Sequence, residues 1–391
     1  MRVAVIGGRL QGVEATYLAH KAGWEVILVD KDPFPPARGL CDAFIQVDVA
    51  EGNEFIRELR EVQLIIPALE DEGVLSALSR WATMEALSLA FDPGAYAVSS
   101  SKIRSDQLFA DIGIPVPLPW PKASFPLIVK PSDASGSKDV RRIDSAEAFQ
   151  YWSISSKERK DWVIQEFLEG PSFSIEVLGF GQGYQTLQVT DLEMDSDYDC
   201  KRVRAPSILS EDKIGQFEEL TLTISRALNV RGIMDVEVIL HDGKLKVLEI
   251  DARLPSQTPT AVYLSSGINM VEMLGTVFWK GQRPVVPPVS SQRGVVYEHL
   301  KVSPGRMEIG GEHMMASAGP LHLVPGFFGS DEAITNYALG ASEWVATVIH
   351  AGKTFEEAWD KRCRTIEKIR EHFSLLEYLD PSPSIPSIRS K

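Results

Sequence analysis

Cysteine is scarce: Cys41, Cys200 and Cys363 are the whole complement. They lie far apart, without metal-ligand spacing or a disulfide framework, which suits a reducing compartment. Long apolar runs are missing too, and no window approaches the roughly 20 residues a membrane-spanning helix needs. Basic residues are in short supply, 40 Lys and Arg against 54 Asp and Glu, leaving a net charge of −14. That excludes a broad basic face for nucleic acid but not a small, locally basic site for an anion. No P-loop occurs, because Gly-x-x-x-x-Gly-Lys-Ser/Thr is nowhere in the chain. The chain enters "RVAVIGG" at residue 2 with no signal-peptide pattern. The expectation is a cytoplasmic protein that engages neither membrane nor nucleic acid.

What is present reads as ordinary globular protein, 44% hydrophobic and 24% charged over 391 residues. That length exceeds one hydrophobic core, so two or three domains are expected. Residues 2–6 and 24–30 read as buried strands around a helix at 11–22, with a further strand at 62–66 and a helix through 72–88. This alternation implies a parallel sheet covered by helices, ending near residue 95. A Ser cluster caps a helix at about 101–111. A small α+β unit follows, with strands "PLIVKP", "RRI" and "DWVIQEFLEG", a loop "SDASGSKDV" after the first and a helix near 145–152 before the last. From 172 the pattern turns antiparallel, with strands at 172–180, 184–193, 232–240 and 245–252 and a helix at 211–228. Helices at 269–279 and 354–373 either cover the core or form a dimer face. Met314, Met315, Phe327 and Phe328 read as packing residues. The tail "PSPSIPSIRSK" has the composition of a disordered segment.

The Gly-rich start, "GGRLQG" with Asp30 closing the second strand, suggests a dinucleotide fingerprint. Its spacing fails, because Arg9 stands where the second glycine would let a pyrophosphate approach. A tight strand–helix turn is the plainer reading, with Asp30 pairing locally. A small polar ligand over Leu10 and Gln11, at the helix N-terminus, stays open.

Lys102 opens a helix, and Lys130 ends an apolar strand directly before small residues at 134–137. Such a loop lets backbone N–H groups face an anion while two ammonium groups neutralise phosphate oxygens. In "VIQEFLEG", main-chain groups of Glu166 and Leu168 would meet an adenine edge while Phe167 and Leu168 pack on it. An edge strand with gatekeeper acids would look the same.

The stretch "VLEIDARLPSQTPTA" breaks a core-like strand with Glu249, Asp251 and Arg253 at alternate positions. Asp235 and Glu237 do the same on the preceding strand, and side chains at i and i+2 share a face. Paired across the His241–Lys244 turn, up to four carboxylates would gather on one surface and repel each other unless cations occupy it. Oxygen ligands without a nearby His point to Mg²⁺ rather than zinc. Arg253 is placed to hold an anion beside the metal. A solvated face with paired surface charges is the competing reading.

As a set, in this order, these motifs resemble the ATP-grasp family of carboxylate–amine ligases over about residues 1–285. "GGRLQGVEATYLAHKAGWEVILVDKDP", "DSDYDC", "GIMDVE" and "EIDARLPSQTPTAVYLSSGIN" look most like the branch of that family serving pyrrolysine biosynthesis. The resemblance implies α/β and α+β classes in a three-domain ATP-grasp architecture. A Rossmann-like parallel sheet would occupy 1–95, a small mobile lid 96–171 and an antiparallel-sheet domain 172–380, with a disordered tail at 381–391.

It further implies a ligase that uses ATP and two Mg²⁺ ions to activate 3-methyl-D-ornithine as an acyl phosphate and couple it to the ε-amine of L-lysine. Another ATP-grasp ligase or carboxylase with a different small acid is the alternative. Lys102 and Lys130 would contact the phosphates, Ala134, Ser135, Gly136 and Ser137 would close over them, and Gln165, Glu166, Phe167 and Leu168 would border adenine. Asp235, Glu249 and Asp251 would hold the metal, with Glu237 a further candidate. Arg253 and Lys130 would be catalytic. Ser256, Gln257, Thr258, Glu176 and Arg253 would hold the methylornithine; Leu10, Gln11 and Glu70 would seat lysine. Glu70, Asp195 or Glu176 would receive the amine proton. Two departures stand out: Ser172 lies near where many members carry a ribose-binding acid, and Asp251 stands where many carry Asn.

Overall fold

The computed structural model describes residues 1–51, 59–155, 161–181, 183–285 and 292–383. The N-terminal strands Arg2–Ile6, Glu25–Asp30, Ala43–Gln46 and Leu64–Pro67 form a parallel four-stranded sheet with Arg2–Ile6 between Glu25–Asp30 and Leu64–Pro67. Its two faces follow the period of 2 directly. Val3, Val5, Val26 and Leu28 pack under the helix Leu10–Lys21, while Ala4, Ile6, Ile27 and Val29 pack under Glu72–Met84. The glycines are there for closeness. Gly7 has φ +101°, and a Cβ on Gly12 would lie 2.2 Å from the Gly7 carbonyl oxygen. Asp30 accepts the N–H groups of Gly8 and Asp32 at 2.6 and 2.8 Å, so its carboxylate closes the turn.

The small unit is a three-stranded antiparallel sheet with Leu127–Pro131 between Arg141–Ile143 and Trp162–Glu166. Its core of Leu127, Val129, Ile143 and Trp152 is extended by Phe125, Phe149 and Trp162. The helix Lys102–Ile112, capped by Ser101 and ended by Gly113 at φ +71°, belongs elsewhere. Its Phe109, with Ala95 and Ile114, packs into the core of the large sheet. The stretch from 96 to about 114 is therefore not part of the three-stranded unit's own core, because its apolar residues face the other way.

The large sheet has twelve strands and begins at its edge with Lys244–Asp251, then Gly232–His241, Ser172–Gly179, Thr190–Met194, Cys200–Ala205 and Gly294–Ser303. The helix Glu211–Leu228 covers it through Phe217, Thr221 and Ile224. The single strand expected at 184–193 is two, Tyr184–Thr186 and Thr190–Met194, pairing with opposite ends of Ser172–Gly179. Leu187 and Val189 between them enter different cores, which breaks the run. Soon after Arg253 the helix Thr258–Ser266 begins, with Pro259 in its first turn.

Met270–Phe278 buries Met270, Val271 and Leu274 in the core shared with Val13, Tyr17 and Leu18, so its apolar face is used within the chain. Phe355–Phe373 does the same with Ile366 and Ile369. Met315 and Phe327 are core residues. The tail is ordered at its start: Lys201 Nζ donates to Asp380 Oδ1 at 2.6 Å and to Ser382 Oγ at 3.3 Å. Residues 384–391 of the expected disordered tail lie outside the described residues. Among the described residues, no single helix is long and apolar enough to cross a membrane.

Candidate active site

The tight Asp242–Gly243 turn folds two strands back on each other in a register that pairs Asp235 with Asp251 and Glu237 with Glu249. On the other side of the same strand, Glu176 lies opposite Asp235 and Ser174 opposite Glu237. Cross-strand partners share a face, so two rows of acids meet. A bulge after Glu237 leaves Leu248 unpaired, and Lys130 Nζ donates to its carbonyl at 3.2 Å.

Burial dominates the electrostatics of this cluster. It pushes Asp251 up to about 7, with Arg253 pulling the other way and Glu70 and Glu249 adding repulsion. Burial, and then Glu176, raises Asp235 well above the carboxylate range; burial, with Asp235 and Glu249, does the same to Glu237. Glu176 is fully buried and raised to about 7 by that burial. Among the described residues, neither its carboxylate oxygens nor the Thr258 hydroxyl has a hydrogen-bond partner. Ser174 donates to Asp235.

Three cations oppose these acids. Lys102 Nζ donates to Glu249 Oε1 at 2.8 Å and to the Ala134 carbonyl at 2.6 Å. Lys130 is 8% exposed, and burial lowers its pKa. The Arg253 guanidinium pairs with Asp251 and, at 2.5 Å, with Glu70 of the N-terminal unit. An all-oxygen cluster of mutually repelling, desolvated carboxylates fits a hard divalent cation.

The loop over this floor is drawn down. Ser137 Oγ donates to the Tyr198 carbonyl at 2.6 Å, and Ser135 and Gly136 line the cavities below. The segment Gln165–Leu168 is more committed than its sequence suggests. The N–H of Glu166 bonds to the Leu118 carbonyl and that of Phe167 to the Pro126 carbonyl, at 2.8 and 3.0 Å. Glu166 also pairs with Lys246. Of the main-chain groups expected to meet adenine, the Glu166 N–H is thus already taken, and neither cavity described below is lined by 165–168.

Two cavities meet here. One, of about 150 Å³, is lined by Asp235, Glu237, Glu249, Asp251, Gln257 and Thr258. The other, of about 610 Å³, opens in the N-terminal unit over Arg9, Leu10, Gln11, Asp30 and Glu70. Ser135, Gly136, Arg253, Ser256 and Glu312 line both. Gln11 donates to Glu70 Oε1 at 3.1 Å, while Leu10 is largely sunk in the core beneath.

Glu312 went unnoticed in the sequence. It accepts from Ser256 Oγ at 2.7 Å and Gln257 Nε2 at 3.3 Å, fixing that loop. No local pattern marks it, since it is a lone Glu in "GGEHMM". Asp195 leaves the list of proton acceptors. It is 3% exposed and takes the N–H groups of Asp197, Asp199 and Gly311, so it holds a loop together.

The family model described as an ATP-grasp domain matches residues 99–257, and the model described as a PylC-like N-terminal domain matches 3–87. The 3-methyl-D-ornithine–L-lysine ligase of Methanosarcina barkeri is 33% identical over 95% of this chain and 98% of its own length. That of Methanosarcina acetivorans is also 33% identical, with the same shares covered. Among solved structures, an N5-carboxyaminoimidazole ribonucleotide synthetase bound to ADP superposes with a TM-score of 0.70 at 12% identity, covering 95% of this chain and 97% of the other. An L-amino acid ligase from Bacillus licheniformis gives 0.67 at 17% identity, covering 94% and 97%. These two show likeness of fold.

Proposed function

This chain belongs to the ATP-grasp carboxylate–amine ligases, and on that premise we propose that it joins 3-methyl-D-ornithine to the ε-amine of L-lysine for pyrrolysine biosynthesis in the cytoplasm. The observation that carries the reading is the meeting of two cavities at Arg253. One lies over the acid hairpin, and the other, in the N-terminal unit, is bordered by Gln11 and Glu70. Full-length similarity to ligases of that name supports the substrates.

In this reading Asp235, Glu249 and Asp251, with Glu237 beside them, hold two Mg²⁺ ions, which supply charge neutralisation for in-line phosphoryl transfer. Lys102 and Lys130 neutralise the phosphate oxygens, and Ala134–Ser137 shut water out. Gln165–Leu168 border the adenine, with the Glu166 carbonyl rather than its N–H as the main-chain contact. Ser256, Gln257 and Thr258 hold the acid while its carboxylate takes the γ-phosphoryl group, and Glu176, expected to touch it, lies fully buried and lines neither cavity. Arg253 steadies the acyl phosphate.

Lysine sits over Leu10, Gln11 and Glu70. Its ε-amine has an intrinsic pKa of about 10.4 and must lose a proton before it attacks. Glu70 and Glu312 are the carboxylates on the path between the cavities. Attack forms the amide and expels phosphate, and no enzyme-bound covalent intermediate is needed.

The test is to incubate the protein with ATP, Mg²⁺, lysine and 3-methyl-D-ornithine, then weigh the product. An amide lighter than the summed substrates by one water, formed with ADP, supports the assignment. ADP release independent of any amine overturns it. ADP release that instead requires bicarbonate would move the protein to the carboxylases of the same fold.

A further inference from the structure

Glu14 has no part in the chemistry above, yet it is among the most deeply buried ionisable groups, 1% exposed. It lies on the helix Leu10–Lys21, one turn beyond Leu10 and Gln11, which line the larger cavity. Its Oε2 accepts the N–H and the hydroxyl of Thr260 at 3.0 and 2.6 Å, and its Oε1 accepts the Tyr297 hydroxyl at 2.9 Å. Thr260 is in the first turn of Thr258–Ser266, a helix whose own cap position gives it no side-chain acceptor. Gln257, at φ +71°, donates instead to the Cys200 carbonyl and to Glu312.

A buried helix start must find acceptors for its free N–H groups. Here the acceptor is supplied from the N-terminal unit, 246 residues away in sequence. A second tie runs beside it. Asn269 caps the next helix with Oδ1 and donates through Nδ2 to the Leu18 carbonyl at 2.8 Å. One rigid helix therefore carries Gln11 at the mouth of one cavity and grips the segment that follows Ser256–Thr258 at the other.

We infer that Glu14 is a positioning residue that sets the register between the amine seated over Gln11 and the acid seated at Ser256–Thr258. This rests on the proposed ligase reading, and Glu14 touches neither substrate. An acyl phosphate whose amine is out of line is attacked by water at the acyl carbon, which returns the free acid and releases phosphate. Loss of Glu14 thus separates ATP consumption from amide formation.

The experiment measures ADP formed per amide in wild type, Glu14→Ala and Glu14→Gln. Glu14→Ala raises the ratio at least several-fold and raises KM for the amine, with KM for ATP little changed. Glu14→Gln keeps the shape and an acceptor for Thr260, so its ratio stays within about two-fold of wild type. An unchanged ratio in folded Glu14→Ala overturns the inference. Hydrogen exchange supplies a readout that needs no substrate. Peptides covering 256–262 should exchange faster in Glu14→Ala, or in Glu14→Gln at reduced amplitude if the alanine variant does not fold, while Glu211–Leu228 is unaffected. Equal exchange at 256–262 overturns the inference even if no amide is made by wild type, a result that by itself would sink only the ligase reading.

Discussion

Lys102 Nζ bridges Glu249 Oε1, 2.8 Å away, and the Ala134 carbonyl, 2.6 Å away, so one ammonium joins a candidate metal ligand to the loop that covers it. On the proposed reading, a cation held by Glu249 would free that ammonium for phosphate oxygens. Lys102→Met should weaken ATP–Mg²⁺ binding on the order of 10- to 100-fold, the usual worth of a hydrogen bond to a charged group. Calorimetric titration measures this, and an unchanged affinity would show that Lys102 serves only the resting lid.

Glu237 is raised well above the carboxylate range by burial and by Asp235 and Glu249. Removing that repulsion should stabilise the metal-free protein. Glu237→Gln is expected to raise Tm by about 1–3 °C, a gain on the order of 1 kcal/mol. Turnover should fall at the same time. A drop in Tm would mean that the carboxylate is needed for packing.

Arg253 spans Asp251 and Glu70, a task suited to a planar fork and not to a point charge. Arg253→Lys should lower kcat by roughly 100-fold, in the range seen for lost oxyanion donors, with KM for ATP nearly unchanged. Steady-state kinetics at saturating ATP would test it. A change confined to KM for ATP would remove Arg253 from the transferring phosphate.

Burial raises Glu14 from 4.5 to about 7, against the pull of Thr260 and Tyr297. Between those values the folded protein binds more proton than the unfolded chain, so this group's contribution is complete below 4.5 and is lost as pH rises through about 7. Glu14→Gln removes the titration. Wild type should therefore lose stability relative to the variant between pH 5 and pH 8, by parallel chemical denaturation. A difference constant with pH would contradict the raised value.

Local patterns were the legible part of this molecule. The helix Glu211–Leu228 and the acid hairpin are readable because period, capping residues and a Gly-containing turn agree. The helix Thr258–Ser266 is hard to read because Pro255 and Pro259 flank its start, although Pro is compatible with a first helical turn. Glu14 and Glu312 gave no signal, because each acquires its partners only when segments distant in sequence meet. The packing of 102–114 on the large sheet was hidden for a similar reason. Phe109 and Ile114 look like any amphipathic pair until the large sheet is present to take them.

The strand bearing Glu249 and Asp251 is the outermost of its sheet, and three successive residues moor the neighbouring units to it. Lys246 pairs with Glu166, the Val247 N–H bonds to the Pro115 carbonyl at 2.8 Å, and the Leu248 carbonyl receives Lys130. On the proposed reading, a swing of the three-stranded unit would turn about this edge. Glu249 and Asp251 would then sit at the axle, where displacement is smallest, while Ala134–Ser137 would sweep the rim.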